Sequence, residues 1–236
     1  QLLKKHAFSS KTDTEVMIHM YEEEGISFVN KLQGMFAFCL YDSQKKIIYL
    51  VRDRLGKKPL YYYQEGKKFM FCSEIKGILQ NKEIPREIYL PALHSFLTFR
   101  ANTGNISMFN SIKKVPSGTI LSYSLKEGKT KLQQFWRFSI NIENKSEKWY
   151  INNLRNLLDD SVKSRLMSDV PYGAFLSGGV DSGTIAALMS KHASQQIKTF
   201  SVGFSEEKYS EADAAKFLSN KLGTDHHELI IDKKAI

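Results

Sequence analysis

The stretch Ser177-Gly178-Gly179-Val180-Asp181-Ser182 decides how the second half of the chain is interpreted. It lies between the apolar segment 172–176, which predicts a short buried strand, and residues 181–191, which predict a helix. Two adjacent glycines let backbone N–H groups approach an anion without Cβ atoms in the way. The helix that follows points its positive end at the same place. The sequence therefore predicts a phosphate-binding loop.

The side chains of this loop indicate which ligand it binds. Ser177 and Ser182 add hydroxyl donors, and Asp181 places a carboxylate beside the expected polyphosphate, which a Mg²⁺ ion between them would explain. The Gly-Lys-Ser/Thr of a Walker loop is absent from this stretch. Gly183 follows, where we expect a backbone donor but no hydroxyl group. The alternative is a glycine-rich turn that binds nothing.

The pattern around the loop predicts an α/β fold with a parallel sheet. Strands are predicted at 172–176, 199–204 and 227–231, with helices between them, the second running from a capping box at 210–213 to Gly223. A long helix is predicted to begin at Ser146, with an apolar face made by Ile151, Leu154, Leu158, Val162 and Leu166. His226 and His227 are adjacent on a strand, so they point to opposite faces and cannot chelate one metal together.

The first half of the chain has a different pattern. A capping box at 12–15 predicts a helix that ends near Gly25. Strands at 35–41, 47–51, 59–63 and 68–72 predict an antiparallel meander, followed by short helices at 74–80 and 90–97 and by strands at 119–123 and up to residue 136. Residues 139–147 are polar and aperiodic, so we divide the chain into domains 1–138 and 146–236.

Composition and charge indicate a globular protein and argue against membrane and nucleic-acid partners. The chain has 236 residues and a net charge of +9, with 42% hydrophobic and 25% charged residues, which is typical of a globular protein. No apolar run reaches the ~20 residues of a membrane helix, so we expect no membrane partner. The lysines are scattered, so we expect no nucleic-acid partner. We expect a cytoplasmic location. Cys39 and Cys72 fall inside predicted strands, where we expect core thiols.

Several motifs together resemble one enzyme family. The loop at 177–182 is similar to the PP-loop of ATP pyrophosphatases. The segment Ser161-Val-Lys-Ser-Arg-Leu-Met-Ser-Asp-Val-Pro-Tyr-Gly173 resembles the glutamine-hydrolysing asparagine synthetases. So do Gly34-Met-Phe-Ala-Phe38, Arg52-Asp-Arg-Leu-Gly-Lys-Lys-Pro-Leu-Tyr61, Ser73-Glu-Ile-Lys76 and Thr12-Asp-Thr-Glu15. The resemblance covers nearly the whole chain in the family's order.

The resemblance implies a fold and a reaction. It implies an α+β first part, an incomplete four-layer αββα glutaminase of the N-terminal nucleophile type, followed by an incomplete α/β PP-loop synthetase domain. The glutaminase frees ammonia, ATP activates the aspartate β-carboxylate as an acyl-adenylate, and ammonia displaces AMP; pyrophosphate is the other product. The implied ligands are glutamine, aspartate, ATP and Mg²⁺, and a homodimer is compatible with the family.

The resemblance also assigns site residues. Asp13 matches the aspartate that holds the α-amino group of glutamine, although it also suits a helix start. Backbone contacts to adenine fall on Phe175, Leu176 and Val202, positions that core packing would equally explain. Pyrophosphate contacts fall on the loop, and the Mg²⁺ contact falls on Asp181. The loop residues concerned are Ser177, Gly178, Gly179, Asp181 and Ser182.

Two expectations concern whether this chain can catalyse the family's reactions. The family's nucleophile is an N-terminal cysteine, whereas this chain starts with Gln1, so we expect a fragment without a catalytic residue for glutamine hydrolysis. The family's later Ser-Gly-Glu-Gly-Ser-Asp-Glu loop would lie beyond Ile236. The alternatives are another PP-loop ligase or tRNA-modifying enzyme, a β-lactam-forming relative, and a non-catalytic nucleotide-binding protein.

Overall fold

The computed structural model describes residues 6–168, 170–204 and 211–231. Its internal contacts divide the chain into two units, Gln1–Ile140 and Asn141–Ile236. Within the described ranges, no helix is both long and apolar enough to cross a bilayer.

The first helix of the first unit, α1 (Asp13–Glu24), begins where the capping box predicts. The N–H of Glu15 donates to the Thr12 hydroxyl at 3.4 Å. The carboxylate of Glu15 accepts from the N–H groups of Ser9 and Ser10, at 2.7 and 2.6 Å, so it caps the incoming segment. Gly25, with φ +62°, ends the helix, and a 3₁₀ helix follows at Gly25–Lys31.

The strands of this unit form two antiparallel sheets rather than one meander. The elements are β1 (Ala37–Asp42), β2 (Ile47–Arg52), β3 (Tyr61–Glu65), β4 (Lys68–Cys72), α2 (Ile75–Ile78), α3 (Leu90–Phe99), β5 (Ile112–Lys114), β6 (Thr119–Ser124) and β7 (Lys129–Gln134). One sheet has the order β1-β2-β6-β7 and the other β4-β3-β5. The predicted four-strand meander is therefore wrong, because β2 pairs with β6 and β3 pairs with β5.

Alternating side chains stack this unit in four layers. Leu50 on β2 and Tyr62 on β3 meet in a core between the two sheets. Their neighbours point the other way: Val51 packs towards α1 and the 3₁₀ helix, and Tyr63 packs with Ile78 of α2. The order is helix, sheet, sheet, helix.

The second unit is built around a parallel sheet of three strands in the order β10-β9-β8. Its elements are α4 (Glu147–Lys163), β8 (Gly173–Phe175), α5 (Val180–His192), β9 (Lys198–Phe204), α6 (Ala212–Leu222) and β10 (Asp225–Ile231). Gly223, with φ +65°, ends α6 as predicted, whereas Ser210 of the predicted capping box lies outside the described residues.

The long helix α4 differs from its prediction on one face. Ser146 caps it as expected, through a hydrogen bond from the N–H of Trp149 at 3.3 Å. Val162 is buried against Met189 and Ile197. Ile151 and Leu154, however, are exposed, because the structure packs only the last turns of the helix on the unit's core.

Candidate functional site

The glycine loop joins β8 to α5, as the sequence predicts. The Leu176 N–H donates to the Phe200 carbonyl at 2.8 Å, which fixes the end of β8 against β9. The Leu176 side chain is 1% exposed and packs with Ala186 and Ala215. Core packing therefore accounts for this side chain, and a ligand could contact only its backbone. Beyond it the loop turns outward, and Ser177, Gly179 and Asp181 are exposed.

Hydrogen bonds between two serines join the start of the loop to the first turn of α5. The hydroxyl oxygens of Ser177 and Ser182 are 3.0 Å apart, and the Ser177 N–H donates to the Ser182 hydroxyl at 3.3 Å. The Ser182 hydroxyl in turn donates to the carbonyl of Gly179 at 3.3 Å. The structure therefore brings the two predicted hydroxyl groups together at the start of α5.

The glycines at 178 and 183 are explained by the fold alone. Gly178 has φ +80°, and a Cβ there would lie 2.5 Å from the Cβ of Ala214. A Cβ at Gly183 would lie 2.6 Å from a methyl group of Leu218, so this glycine lets α5 and α6 approach. The Gly183 N–H donates to the Gly179 carbonyl at 2.9 Å. The expectation that Gly183 offers a backbone donor to a ligand is therefore wrong, because the helix already uses that group.

Gly179 is different, because nothing in the described structure requires a glycine there. Its φ of −73° and ψ of 162° are open to any residue. A Cβ would meet only the Ser177 hydroxyl oxygen, at 3.5 Å, which is ordinary contact. A ligand that must reach the backbone would explain the missing side chain.

The first turn of α5 supplies donors and a carboxylate. Its N–H groups have no acceptors within the helix, and Gly179 provides no side-chain cap. Asp181 lies in this turn, and its carboxylate makes no hydrogen bond or ion pair within the part of the chain that the structure describes. An exposed carboxylate oxygen beside open N–H groups fits a hard cation that is shared with a phosphate.

A pocket of about 280 Å³ opens beside the loop. It is lined by Phe175, Leu176, Ser177, Phe200, Ser201, Val202, Ser182 and Glu211. Phe175 is 81% exposed and Val202 is 46% exposed, so core packing within the described residues does not account for them. The three predicted adenine positions thus lie around one pocket.

Phe200 also lines this pocket, and the sequence analysis missed it. Its ring packs edge-on to Phe175 at 6.5 Å and stacks on His227 at 5.3 Å. The register pairs it with both residues. No sequence pattern marks it, because the buried positions of β9 are Thr199, Ser201 and Gly203 whereas apolar residues are exposed. His226 instead approaches Thr199 and Ser201 at 2.9 and 3.2 Å, so the two histidines do diverge.

A second pocket, of about 570 Å³, lies in the first unit. Asp13 lines it from the start of α1, together with residues of β1 and with Lys58, Pro59 and Ser73. Asp13 is exposed, so its carboxylate can reach a ligand.

Cys39 also lines this second pocket and is exposed, so the core position predicted for it is wrong. The physical reason is that β1 is an edge strand of its sheet. Partial burial of its thiol still raises the pKa of Cys39. Cys72 is half-buried and packs against the cluster of Tyr63 and Ile78, as expected.

The loop that follows β2 holds Lys58 and Pro59 in place. The Asp53 carboxylate accepts from the N–H groups of Leu55, Lys57 and Lys58 at 3.1, 3.0 and 2.9 Å. The Arg52 guanidinium donates to three carbonyl oxygens, those of Lys58, Val115 and Gly56, at 2.8, 2.8 and 2.6 Å. Burial lowers the pKa of Arg52. The sequence shows these residues only as part of a motif, because the hydrogen bonds depend on the turn that they form.

Two family models match the chain. The one described as a glutamine amidotransferase domain matches residues 1–136, and the one described as asparagine synthase matches residues 153–236. The chain therefore belongs to the family of glutamine amidotransferase domains.

Among known proteins the chain is similar to asparagine synthetases described as glutamine-hydrolysing. A putative one from Methanocaldococcus jannaschii is 37% identical over 92% of this chain and 42% of its own length. One from Bacillus subtilis is 33% identical over 97% of the chain and 39% of the relative, and one from Escherichia coli is 34% identical over 95% and 38%. The chain thus spans about two fifths of these relatives. The resemblance noted from the motifs is confirmed.

Proposed function

We propose that this chain is the part of a glutamine-hydrolysing asparagine synthetase that binds glutamine in residues 1–138 and ATP in residues 146–236. The reaction would be the ATP-dependent amidation of aspartate with nitrogen from glutamine. The matches of both family models, in this order along the chain, support the proposal.

Gly179 is the observation that carries the nucleotide assignment. Neither its backbone conformation nor its neighbours exclude a side chain, whereas a bound phosphate would. The N–H groups at the start of α5 and the hydroxyl groups of Ser177 and Ser182 converge at this point. Hydrogen-bond donors fixed in advance at a helix N-terminus are suited to hold pyrophosphate.

The chemistry requires such a site because a carboxylate is a poor electrophile. Transfer of AMP to the aspartate β-carboxylate gives a mixed anhydride, from which ammonia displaces AMP. The loop would bind the pyrophosphate that leaves in the first step, and Phe175, Phe200 and Val202 would form the wall beside adenine. Mg²⁺, when bound, would neutralise phosphate charge, and Asp181 is the residue that would hold it.

The glutamine site would lie in the first unit. The exposed Asp13 carboxylate would accept hydrogen bonds from the substrate α-ammonium group, while the apolar residues of the same pocket would contact its methylene groups. The saturated loop of Arg52 and Asp53 keeps Lys58 and Pro59 at the wall of this pocket.

A pair of helix-start acids tests the proposal. Asp181→Asn should abolish most of the Mg²⁺-dependent binding of ATP, measured by calorimetric titration. Glu147→Gln is the matched control, because Glu147 is an exposed acid in the first turn of α4. Equal affinity of the two variants for ATP with Mg²⁺, both folded by circular dichroism, would contradict the role of Asp181.

A further inference from the structure

Two histidines and a glutamate lie together on α1 and the segment that precedes it. His19 and Glu22 are three residues apart on the helix and so share one face, while His6 reaches them from the preceding segment. The candidate ligand atoms of the three residues lie within 4.8 Å of one another. The two imidazole rings stack, with centroids 4.4 Å apart. Neither pocket described above includes these residues.

The ring nitrogens have a shared orientation. Both Nδ1 atoms face the same carboxylate oxygen, Oε2 of Glu22, at 2.8 Å from His19 and 3.5 Å from His6. Both Nε2 atoms face other carboxylates. The Nε2 of His6 lies 3.1 Å from Glu23 Oε1, and that of His19 lies 3.8 Å from Glu15 Oε1.

We propose that the Nδ1 atoms of His6 and His19 and the carboxylate of Glu22 bind a divalent transition-metal ion of the Zn²⁺ class. Imidazole nitrogen with one carboxylate is a ligand set that suits this class, and it leaves a fourth position for water. Metal-bound histidines commonly donate their other N–H to a carboxylate. Glu23 occupies this outer position on His6, at 3.1 Å, and Glu15 is the carboxylate near the Nε2 of His19, at 3.8 Å.

The environment of His19 supports a metal on its Nδ1. The Nε2 of His19 is buried without a hydrogen-bond partner in the described structure, which is costly for a polar atom. With a metal on Nδ1, the proton resides on Nε2, where the Glu15 carboxylate is the adjacent acceptor. That carboxylate is already oriented by the N–H groups of Ser9 and Ser10.

A bound ion would join the segment at His6 to α1. Because the site needs both parts in their folded positions, the ion would favour the folded state by mass action. The negative charges of Glu15, Glu22 and Glu23 would offset its charge.

Metal titration of the chain, prepared without a histidine tag, tests the proposal. Zn²⁺ should bind in a one-to-one complex by calorimetry and raise the thermal unfolding midpoint. Co²⁺ should give a visible spectrum of nitrogen and oxygen coordination. His19→Asn and, independently, Glu22→Gln should abolish both signals, while Glu23→Gln should weaken affinity by about 10- to 100-fold.

His94→Asn is the matched control, because His94 is exposed on α3 and belongs to no such cluster among the described residues. It should leave binding unchanged. Three results would overturn the proposal: a wild-type chain without one-to-one binding, binding that survives in both His19→Asn and Glu22→Gln, and a Co²⁺ spectrum with thiolate charge-transfer bands, which would place the ion on cysteine.

Discussion

The loop after β2 and the loop that leads into α5 both follow a strand, and each has an aspartate, Asp53 in the first and Asp181 in the helical turn that ends the second, yet their polar groups are used in opposite ways. In the first loop Asp53 is 1% exposed and accepts three backbone N–H groups, while Arg52 donates to three carbonyls. In the second loop Asp181 is exposed, and the N–H groups of the first helical turn have no acceptors in the helix.

The first loop uses its polar groups to hold structure, whereas the second, under the proposed function, would use them to bind a phosphate. A saturated loop has no donors left for an external anion, so its motif fixes the chain that lines a pocket. In an open loop the aspartate contributes little to stability, and the free donors would be available to a ligand. Removal of the aspartate should therefore lower stability in the first loop and ligand affinity in the second.

The largest expected effect is at Asp53. Asp53→Ala leaves three N–H groups without their acceptor and removes the charge beside the buried Arg52. We expect a loss of about 3–5 kcal/mol in the free energy of unfolding. Asp181→Ala should cost about 0.3–1 kcal/mol, the value of an exposed acid at a helix start. Urea unfolding of both variants measures the two losses in the free energy of unfolding. Equal losses would show that the two aspartates do not differ in their contribution to stability.

A smaller effect is expected at Gly178. An alanine there must adopt φ +80° and places its Cβ 2.5 Å from that of Ala214. The backbone conformation alone costs about 1–2 kcal/mol, and relief of the clash adds to it. Gly178→Ala should therefore lower stability and nucleotide affinity together. A thermal unfolding midpoint equal to that of the wild type would contradict the close contact between Gly178 and Ala214 of α6.

The smallest effect is a pH dependence in the first unit, where two carboxylates each accept several hydrogen bonds, as Asp53 does. Hydrogen bonds from Ser10 and Ser9 lower the pKa of Glu15 to about 2, and those from Lys45 and Tyr21 lower the pKa of Asp42 to about 2. Both pKa values lie below the usual values of 4.5 and 3.8. The unfolded chain therefore binds more protons in this window, and stability falls as the pH drops from about 4.5 to 2.

Unfolding curves between pH 5 and pH 2 measure this dependence. Glu15→Gln and Asp42→Asn should each flatten it, while Glu147→Gln serves as the control. A dependence as steep in both variants as in the wild type would show that these carboxylates do not keep their hydrogen bonds in solution.

Local signals predicted most of the individual elements. The Thr12 cap, the Ser146 cap and the glycine after α6 are set by residues within a turn of the helix end, so the sequence locates them. The glycine loop could be recognised for the same reason. Its serines, glycines and aspartate lie within six residues of one another.

The remaining features depend on contacts between distant residues. The division of four strands between two sheets follows from the pairing of β2 with β6, which are about 70 residues apart in sequence. Cys39 is exposed because its strand lies at the edge of that sheet, which no local pattern reveals. The N–H of Gly183 is unavailable because α5 begins at Val180.

Gly179→Ala tests most directly the proposal that a phosphate ligand shapes the loop before α5. An alanine fits the φ of −73° and meets only one atom, at 3.5 Å, so the free energy of unfolding should change by about 1 kcal/mol or less. Calorimetric titration with ATP and Mg²⁺ should nevertheless show binding lost, because the new methyl group occupies the approach to the backbone. Wild-type affinity for ATP in a stable Gly179→Ala chain would contradict the account.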